Sequence, residues 1–141
     1  LVGSEMCIRD RSFIFAADLM REIELSAQIS FVKLASYVGT SSTGSVCEMI
    51  GLNVDISRRD VVVVEDIVDS GLTMKYVTEM LAKYNPRSIS ICTLLLKPGN
   101  LKVDLDIPYK CFSIPNDFIL GYGLDYDGYG RNTRDIYTVV E

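Results

Sequence analysis

The spacing of apolar and polar positions alternates between two periods along the chain. Residues 13–25 carry Phe13, Ala16, Ala17, Met20, Ile23 and Leu25 on one stripe, with Arg21, Glu22 and Glu24 outside it; that period predicts a helix. Residues 28–34 alternate through Ile29, Phe31, Val32 and Leu34 and predict a strand. Thr40-Ser41-Ser42-Thr43-Gly44-Ser45, just after Ser36 and Tyr37, is a run of small polar residues that predicts a mobile loop. Val61-Val62-Val63-Val64 is β-branched without alternation, which suits a strand buried on both faces of a parallel sheet. Residues 73–84 return to helical spacing with Met74, Val77, Met80 and Leu81 inward, and Asn85-Pro86 stops them. Residues 88–96 form a second apolar strand that Lys97-Pro98-Gly99-Asn100 ends. Strand, helix and strand within roughly 35 residues make a βαβ unit, and such units imply a right-handed crossover in a parallel sheet. Residues 111–114, 118–122 and 136–140 read as short strands between glycine-marked turns. The fold class is therefore α/β, a central, mostly parallel sheet flanked by helices.

Composition narrows the chemistry more than the fold. The length of 141 residues suits one domain, and residues 12–141 contain no repeat or linker that would divide it. A net charge of −5 without a basic run argues against nucleic acid as a partner. No apolar stretch approaches the length needed to cross a bilayer. The chain has no histidine, which removes Ser-His-Asp and Cys-His catalysis. A general base must then be a carboxylate, a lysine, a tyrosine or water. Cys7, Cys47, Cys92 and Cys111 contain no C-x-x-C pair, so no zinc site is expected; a cytoplasmic, disulfide-free protein is the simplest reading. Residues 1–11 show neither a helical nor a strand period and lack the build of a signal peptide. They are expected to be unstructured and foreign to the domain, an assembly scar.

The candidate chemistry lies where the valine strand ends. Glu65 and Asp66 follow it, then Ile67, Val68, Asp69, Ser70, Gly71, Leu72 and Thr73 lead into the helix. In open α/β sheets, ligands bind beyond the carboxyl ends of the strands. Three clustered carboxylates repel one another unless a cation or a hydroxyl-rich ligand offsets them. Beside them, the amides and hydroxyls of a helix N-terminus suit an anion. A ligand with hydroxyls or a bound metal at one end and a phosphate at the other, such as a ribose 5-phosphate, matches both halves. The bland alternative is a surface turn in which Asp69 or Ser70 caps the helix and the other acids are solvated. Neither a P-loop pattern nor G-x-G-x-x-G occurs.

The string Val62-Val63-Val64-Glu65-Asp66-Ile67-Val68-Asp69-Ser70-Gly71-Leu72-Thr73 resembles the phosphoribosyl-diphosphate signature of the type I phosphoribosyltransferases, and most closely their hypoxanthine (hypoxanthine-guanine) branch. The resemblance runs from about Ser12 to the C-terminus. It implies that Glu65 and Asp66 hold the ribose hydroxyls, directly or through magnesium, and that Asp69 is the general base at N7 of the purine. It assigns Ser70, Gly71, Leu72 and Thr73, with Ile67 beside them, to the ribose-phosphate site. The apolar strand behind Asp69 is expected to desolvate its carboxyl and make it a better base. Lys97 corresponds to the lysine that reads the purine 6-oxo group; a lysine only donates, so it accepts a 6-oxo and disfavours a 6-amino substituent. Phe118 would stack on the base and Ile119 would offer backbone contacts to its edge. Asp125 would sit near a second magnesium ion and the pyrophosphate, and Arg131 would pair with pyrophosphate oxygens. Ser36 and Tyr37 would begin a loop that closes over the site and excludes water. Read without the resemblance, Phe118 and Ile119 suit a core, Asp125 and Arg131 a surface ion pair, and Lys97 a solvated residue before a turn.

One departure stands out. Members of the branch carry Leu-Lys-Gly or Leu-Arg-Gly just before the position of Ser12, a pyrophosphate loop that follows the first core strand. Residues 1–11 match nothing there, and Gly3 and Arg9 do not restore the loop. The first strand and part of the N-terminal hood are thus expected to be missing. The implied reaction is phosphoribosyl transfer from phosphoribosyl diphosphate to a 6-oxopurine, giving IMP or GMP and pyrophosphate, with Mg2+ as cofactor and a homo-oligomeric dimer or tetramer. The alternatives are a noncatalytic regulatory domain that binds phosphoribosyl diphosphate or a nucleotide, and an inactive fragment.

Overall fold

The valine block lies in the middle of a sheet, as its lack of alternation requires. A computed structural model describes residues 4–8, 11–37 and 46–139. In chain order its elements are β1 (Ser4–Ile8), α1 (Phe13–Glu22), β2 (Ala27–Phe31), β3 (Lys33–Tyr37), β4 (Val46–Ile50), β5 (Asp60–Val68), α2 (Leu72–Ala82), β6 (Ser88–Leu96), β7 (Tyr109–Ser113), β8 (Ile119–Leu120) and β9 (Tyr137–Thr138). A five-stranded sheet has the order β2-β1-β5-β6-β7, with every neighbouring pair parallel. β3–β4 and β8–β9 are separate antiparallel pairs.

Each face of the sheet is covered by one helix. Val61 and Val63 pack in one cluster with Met74, Val77 and Leu81 of α2. Val64 packs on the other side with Phe15 and Ala16 of α1. Each fully buried apolar side chain of this size contributes about 1.5–3 kcal/mol, so the two helices are held by their stripes rather than by capping. The alternation of faces slips at one level of both central strands. Pairing runs through Glu65–Thr93 and resumes at Ile67–Leu95. Beyond the slip, Ile67 and Leu95 join the α1 cluster while Val68 and Leu96 join the α2 cluster. The Lys97 amide donates to the Val68 carbonyl at 2.9 Å, tying together the two strand ends where the site is built.

Several expectations need correction. The first strand of the sheet is not missing: Ser4–Ile8 pairs with both β2 and β5. A parallel ladder is made by backbone groups, which any sequence free of proline supplies, so the lack of a side-chain period was a poor guide. The apolar run 28–34 is two strands, because the chain leaves the main sheet at buried Val32 and enters the β3–β4 pair. α1 ends at Glu22, since Ile23 is already extended, and Leu25 is 74% exposed. β8 and β9 are two residues each, shorter than the runs 118–122 and 136–140 suggest. The loop over residues 40–45 lies outside the described residues.

Candidate active site

Glu65 and Asp66 belong to the last turn of the pleat, inside β5, rather than to the loop that follows. Both are 2% exposed. One Asp66 oxygen, Oδ1, accepts the Ile67 amide at 2.9 Å. The other, Oδ2, is buried and has no hydrogen-bond partner among the described residues. Leaving a buried carboxylate oxygen unsatisfied is costly, so a ligand hydroxyl or a cation arriving there would offset a penalty already present. Glu65 lines a cleft of about 260 Å³ together with Asp69, Ser70, Gly71 and Thr73.

The turn from Asp69 into α2 presents backbone rather than side chains. Gly71 sits at the N-terminus of α2 with φ +77°, a left-handed conformation that glycine adopts without penalty. A Cβ there would lie 2.8 Å from Leu105 Cδ1 and 3.0 Å from Val103 Cγ2, so the segment over residues 101–105 presses directly on the turn. The Lys102 amide donates to the Ser70 carbonyl at 3.0 Å and holds the turn from behind. The first amides of α2 have no intrahelical acceptor, and with the helix dipole they make an anion cradle beside Thr73.

Asp69 lies just past the strand end, and its side chain is 53% exposed. The expected desolvation by the apolar strand is therefore incorrect: the strand buries Val68, and the next residue already projects beyond it. Its neighbours are polar instead. Lys97 Nζ stands 3.6 Å from Asp69 Oδ2, and Asn100 Nδ2 donates to Asp69 Oδ1 at 2.8 Å. Lys97 is nearly buried, which rules out the reading of a solvated lysine. A second cleft of about 260 Å³ is lined by Asp69, Lys97, Phe118, Ile119, Leu124 and Asp125. Phe118 remains half exposed, with its ring 5.4 Å from that of Tyr126 and nearly perpendicular to it. Ile119 is half-buried in β8.

Asp125 and Arg131 are brought together. Arg131 Nη2 pairs with Asp125 Oδ1 at 2.6 Å, while its Nη1 donates to the Gly123 carbonyl at 2.8 Å. The Gly128 amide donates to the other Asp125 oxygen at 2.8 Å. Arg131 thus folds its own loop, as the ion-pair reading anticipated, and it lines neither cleft. Ser36 and Tyr37 end β3, opposite Cys47 and Val46.

Glu65, Asp66 and Asp125 do not form a single cage; among the described residues no three acidic or cysteine side chains converge on one point. Mg2+ needs no such cage, since it keeps waters and binds through one or two carboxylates plus substrate phosphates. The unsatisfied Asp66 oxygen and the separate Asp125 carboxylate fit that habit. The sequence reading missed Arg11, which lines both clefts, and Asn100, which reaches Asp69 across 31 positions. Nothing local marks either. Of two larger open clefts, one of about 660 Å³ is lined by Asp69, Ser70 and Asn100 and so adjoins the site, whereas one of about 610 Å³ between α1 and Tyr122 shares none of these residues.

Residues 6–127 match the phosphoribosyl transferase domain family. The chain is 46% identical over 127 residues to the hypoxanthine-guanine phosphoribosyltransferase of Mycobacterium tuberculosis, an alignment covering 89% of this chain and 63% of that protein. It therefore spans less than two thirds of the mycobacterial relative. It is 44% identical over 128 residues to the hypoxanthine phosphoribosyltransferase of Salmonella typhimurium, covering 88% and 72%. The crystal structure of a hypoxanthine-guanine phosphoribosyltransferase from Bacillus anthracis superposes with a TM-score of 0.85 at 38% identity, covering 97% of this chain and 82% of that one. With these likenesses over most of its length, the chain belongs to the phosphoribosyltransferase family, in its hypoxanthine(-guanine) branch.

Proposed function

We propose that this chain transfers the 5-phosphoribosyl group of phosphoribosyl diphosphate to a 6-oxopurine, hypoxanthine or guanine, releasing pyrophosphate. The observation that carries this reading is that Asp69 lines both clefts, the one beside Glu65 and the phosphate turn and the one beside Lys97 and Phe118. A group at that junction touches both the sugar and the base. The α2 N-terminus with Ser70, Gly71 and Thr73 holds the 5-phosphate, while Glu65 and Asp66 hold the ribose hydroxyls. Phe118 stacks on the purine, Ile119 meets its edge, and Lys97 donates to the 6-oxo oxygen. As N9 forms its bond to C1′, the C1′–oxygen bond breaks and its electron pair leaves with pyrophosphate. The N7 proton passes to Asp69. Glu65 or Asp66 would hold one Mg2+ beside the ribose hydroxyls and Asp125 would lie near a second, and the ions would supply neutralisation of the leaving group's charge.

The identities of the solved relatives support the purine, and Lys97 supports a 6-oxo over a 6-amino base. Two finer readings accompany it. The exposed Phe13, Ile29 and Phe31 suit a homo-oligomer, a dimer or tetramer, which light scattering would detect. The free, buried Cys92 thiol suits the reducing cytoplasm, and among the described residues no helix is long and apolar enough to cross a membrane. A panel of hypoxanthine, guanine, xanthine, adenine and uracil at fixed phosphoribosyl diphosphate and magnesium tests the substrate. Hypoxanthine or guanine is the preferred base; faster turnover of adenine or uracil refutes the proposal.

A further inference from the structure

Asp69 is held by more than Lys97. We propose that Asn100 is a positioning residue for Asp69. Its side-chain amide clips Asp69 Oδ1 to the segment that carries Phe118 and leaves Oδ2 to take the purine proton. The inference rests on the reading of Asp69 as the general base.

Asn100 Nδ2 donates to Asp69 Oδ1 at 2.8 Å and to Asn116 Oδ1 at 2.5 Å. An ionised carboxylate only accepts, so the Asn100 amide must face Asp69 with its nitrogen, and its two protons then serve both acceptors. Asn116 stands two positions before Phe118. One amide therefore links the carboxylate at the end of β5 to the segment expected to stack on the base. The turn that carries Asn100 is itself fixed. Pro98–Asn100 is a single 3-10 turn, with the Asn100 amide donating to the Lys97 carbonyl at 3.1 Å. That turn brings Lys97 and Asn100 to opposite oxygens of the same carboxylate.

The two contacts are unequal. The amide bond to Oδ1 has normal hydrogen-bond length and is directional. Lys97 stands 3.6 Å from Oδ2, a charge contact that leaves Oδ2 room for another donor. An exposed aspartate otherwise samples several rotamers, and holding it in one near-attack orientation lowers the barrier without touching the substrate. In the transfer the N7–H bond breaks and an O–H bond forms at Oδ2. The N9–C1′ bond forms as pyrophosphate leaves with the electron pair of the C1′–O bond.

The test uses Asn100→Asp, which keeps the side chain's shape, removes the donor and sets a second carboxylate against Asp69, and Asn116→Ala. For Asn100→Asp, kcat with hypoxanthine falls roughly 10-fold or more, the loss of one hydrogen bond with carboxylate repulsion added, while KM for phosphoribosyl diphosphate is unchanged. Asn116→Ala lowers kcat less, and the double variant is no slower than Asn100→Asp alone. A second readout needs no turnover: the Asn100 side-chain amide resonances shift on Asp69→Ala. Resonances indifferent to Asp69→Ala overturn the clip. Shifted resonances with an unchanged kcat in Asn100→Asp overturn its positioning role. Shifted resonances in a chain that turns over no purine leave the clip standing and refute the purine reading instead.

Discussion

Gly71→Ala tests whether the phosphate turn is shaped by its backbone and by the segment packed on it. Gly71 has φ +77°, and a left-handed backbone costs an alanine roughly 1–2 kcal/mol. The added methyl would meet Leu105 Cδ1 at 2.8 Å, Val103 Cγ2 at 3.0 Å and Leu101 Cδ2 at 3.1 Å. These are side-chain ends on a half-buried segment, so they yield, and the overpacking falls at the low end of the usual ~1–3 kcal/mol. The loss of glycine's unfolded-state freedom returns about 0.4–1 kcal/mol. The net destabilisation is about 2 kcal/mol, which at a urea dependence of ~2 kcal/mol per molar lowers the unfolding midpoint by roughly 1 M. Gly99→Ala is the control: a Cβ there meets nothing within 4 Å, and Gly99 is not among the positive-φ glycines, so only the unfolded-state gain remains and its midpoint rises by roughly 0.2–0.5 M. Because the proposed 5-phosphate cradle includes Gly71, KM for phosphoribosyl diphosphate is predicted to rise in Gly71→Ala alone. Indistinguishable midpoints for the two variants would refute the strain and packing assigned to this turn.

Three further outcomes follow from particular contacts. Lys97→Met removes a charge-assisted donor, worth about 1.5–3 kcal/mol. It lowers kcat/KM for hypoxanthine roughly tenfold or more and narrows the preference over adenine, and an unchanged base preference contradicts the role of Lys97. The Asp60 carboxyl is held down at about 2 by its hydrogen bonds to Arg87 and then Ser88. A depressed carboxyl contributes stability that is present above its ordinary value of 3.8 and is lost as pH falls toward 2. Asp60→Asn flattens urea midpoints across that window, whereas an identical acid slope dismisses the pair as a source of pH dependence. Burial pushes the Cys92 thiol up to about 11, so a thiolate-directed reagent at pH 8 modifies exposed Cys111 in the native chain and spares Cys92. Peptide mapping that finds Cys92 modified first would contradict its placement.

What was legible in the sequence follows the range of the forces involved. The unit β5–α2–β6 was readable because the valine block and the Met74, Val77, Leu81 stripe are short-range patterns that coincide with what they bury. The switch of sheets at Val32 was hidden, since an alternating run looks the same whether it stays in one sheet or crosses to another. The β1 strand was invisible because its pairing is a backbone matter. At the site, residue types were readable and their environments were not. Asp69 follows an apolar run in sequence yet projects beyond it in space. Lys97 looks solvated in sequence yet is nearly buried, because it stands at the end of β6 in the floor of the cleft lined by Phe118 and Asp125. Asn100 stands 31 positions from Asp69 and carries no local mark.

The most direct test of the account compares this chain with its Asp69→Asn variant. The measurement is IMP formation from hypoxanthine and phosphoribosyl diphosphate with magnesium, with IMP affinity determined alongside by calorimetry. A positioned general base contributes about 10²–10⁴-fold. The variant's turnover is predicted to fall by that order while its IMP affinity stays within a few-fold of wild type. Equal turnover in the two chains would contradict Asp69 as the base and with it the chemistry assigned to the junction of the two clefts.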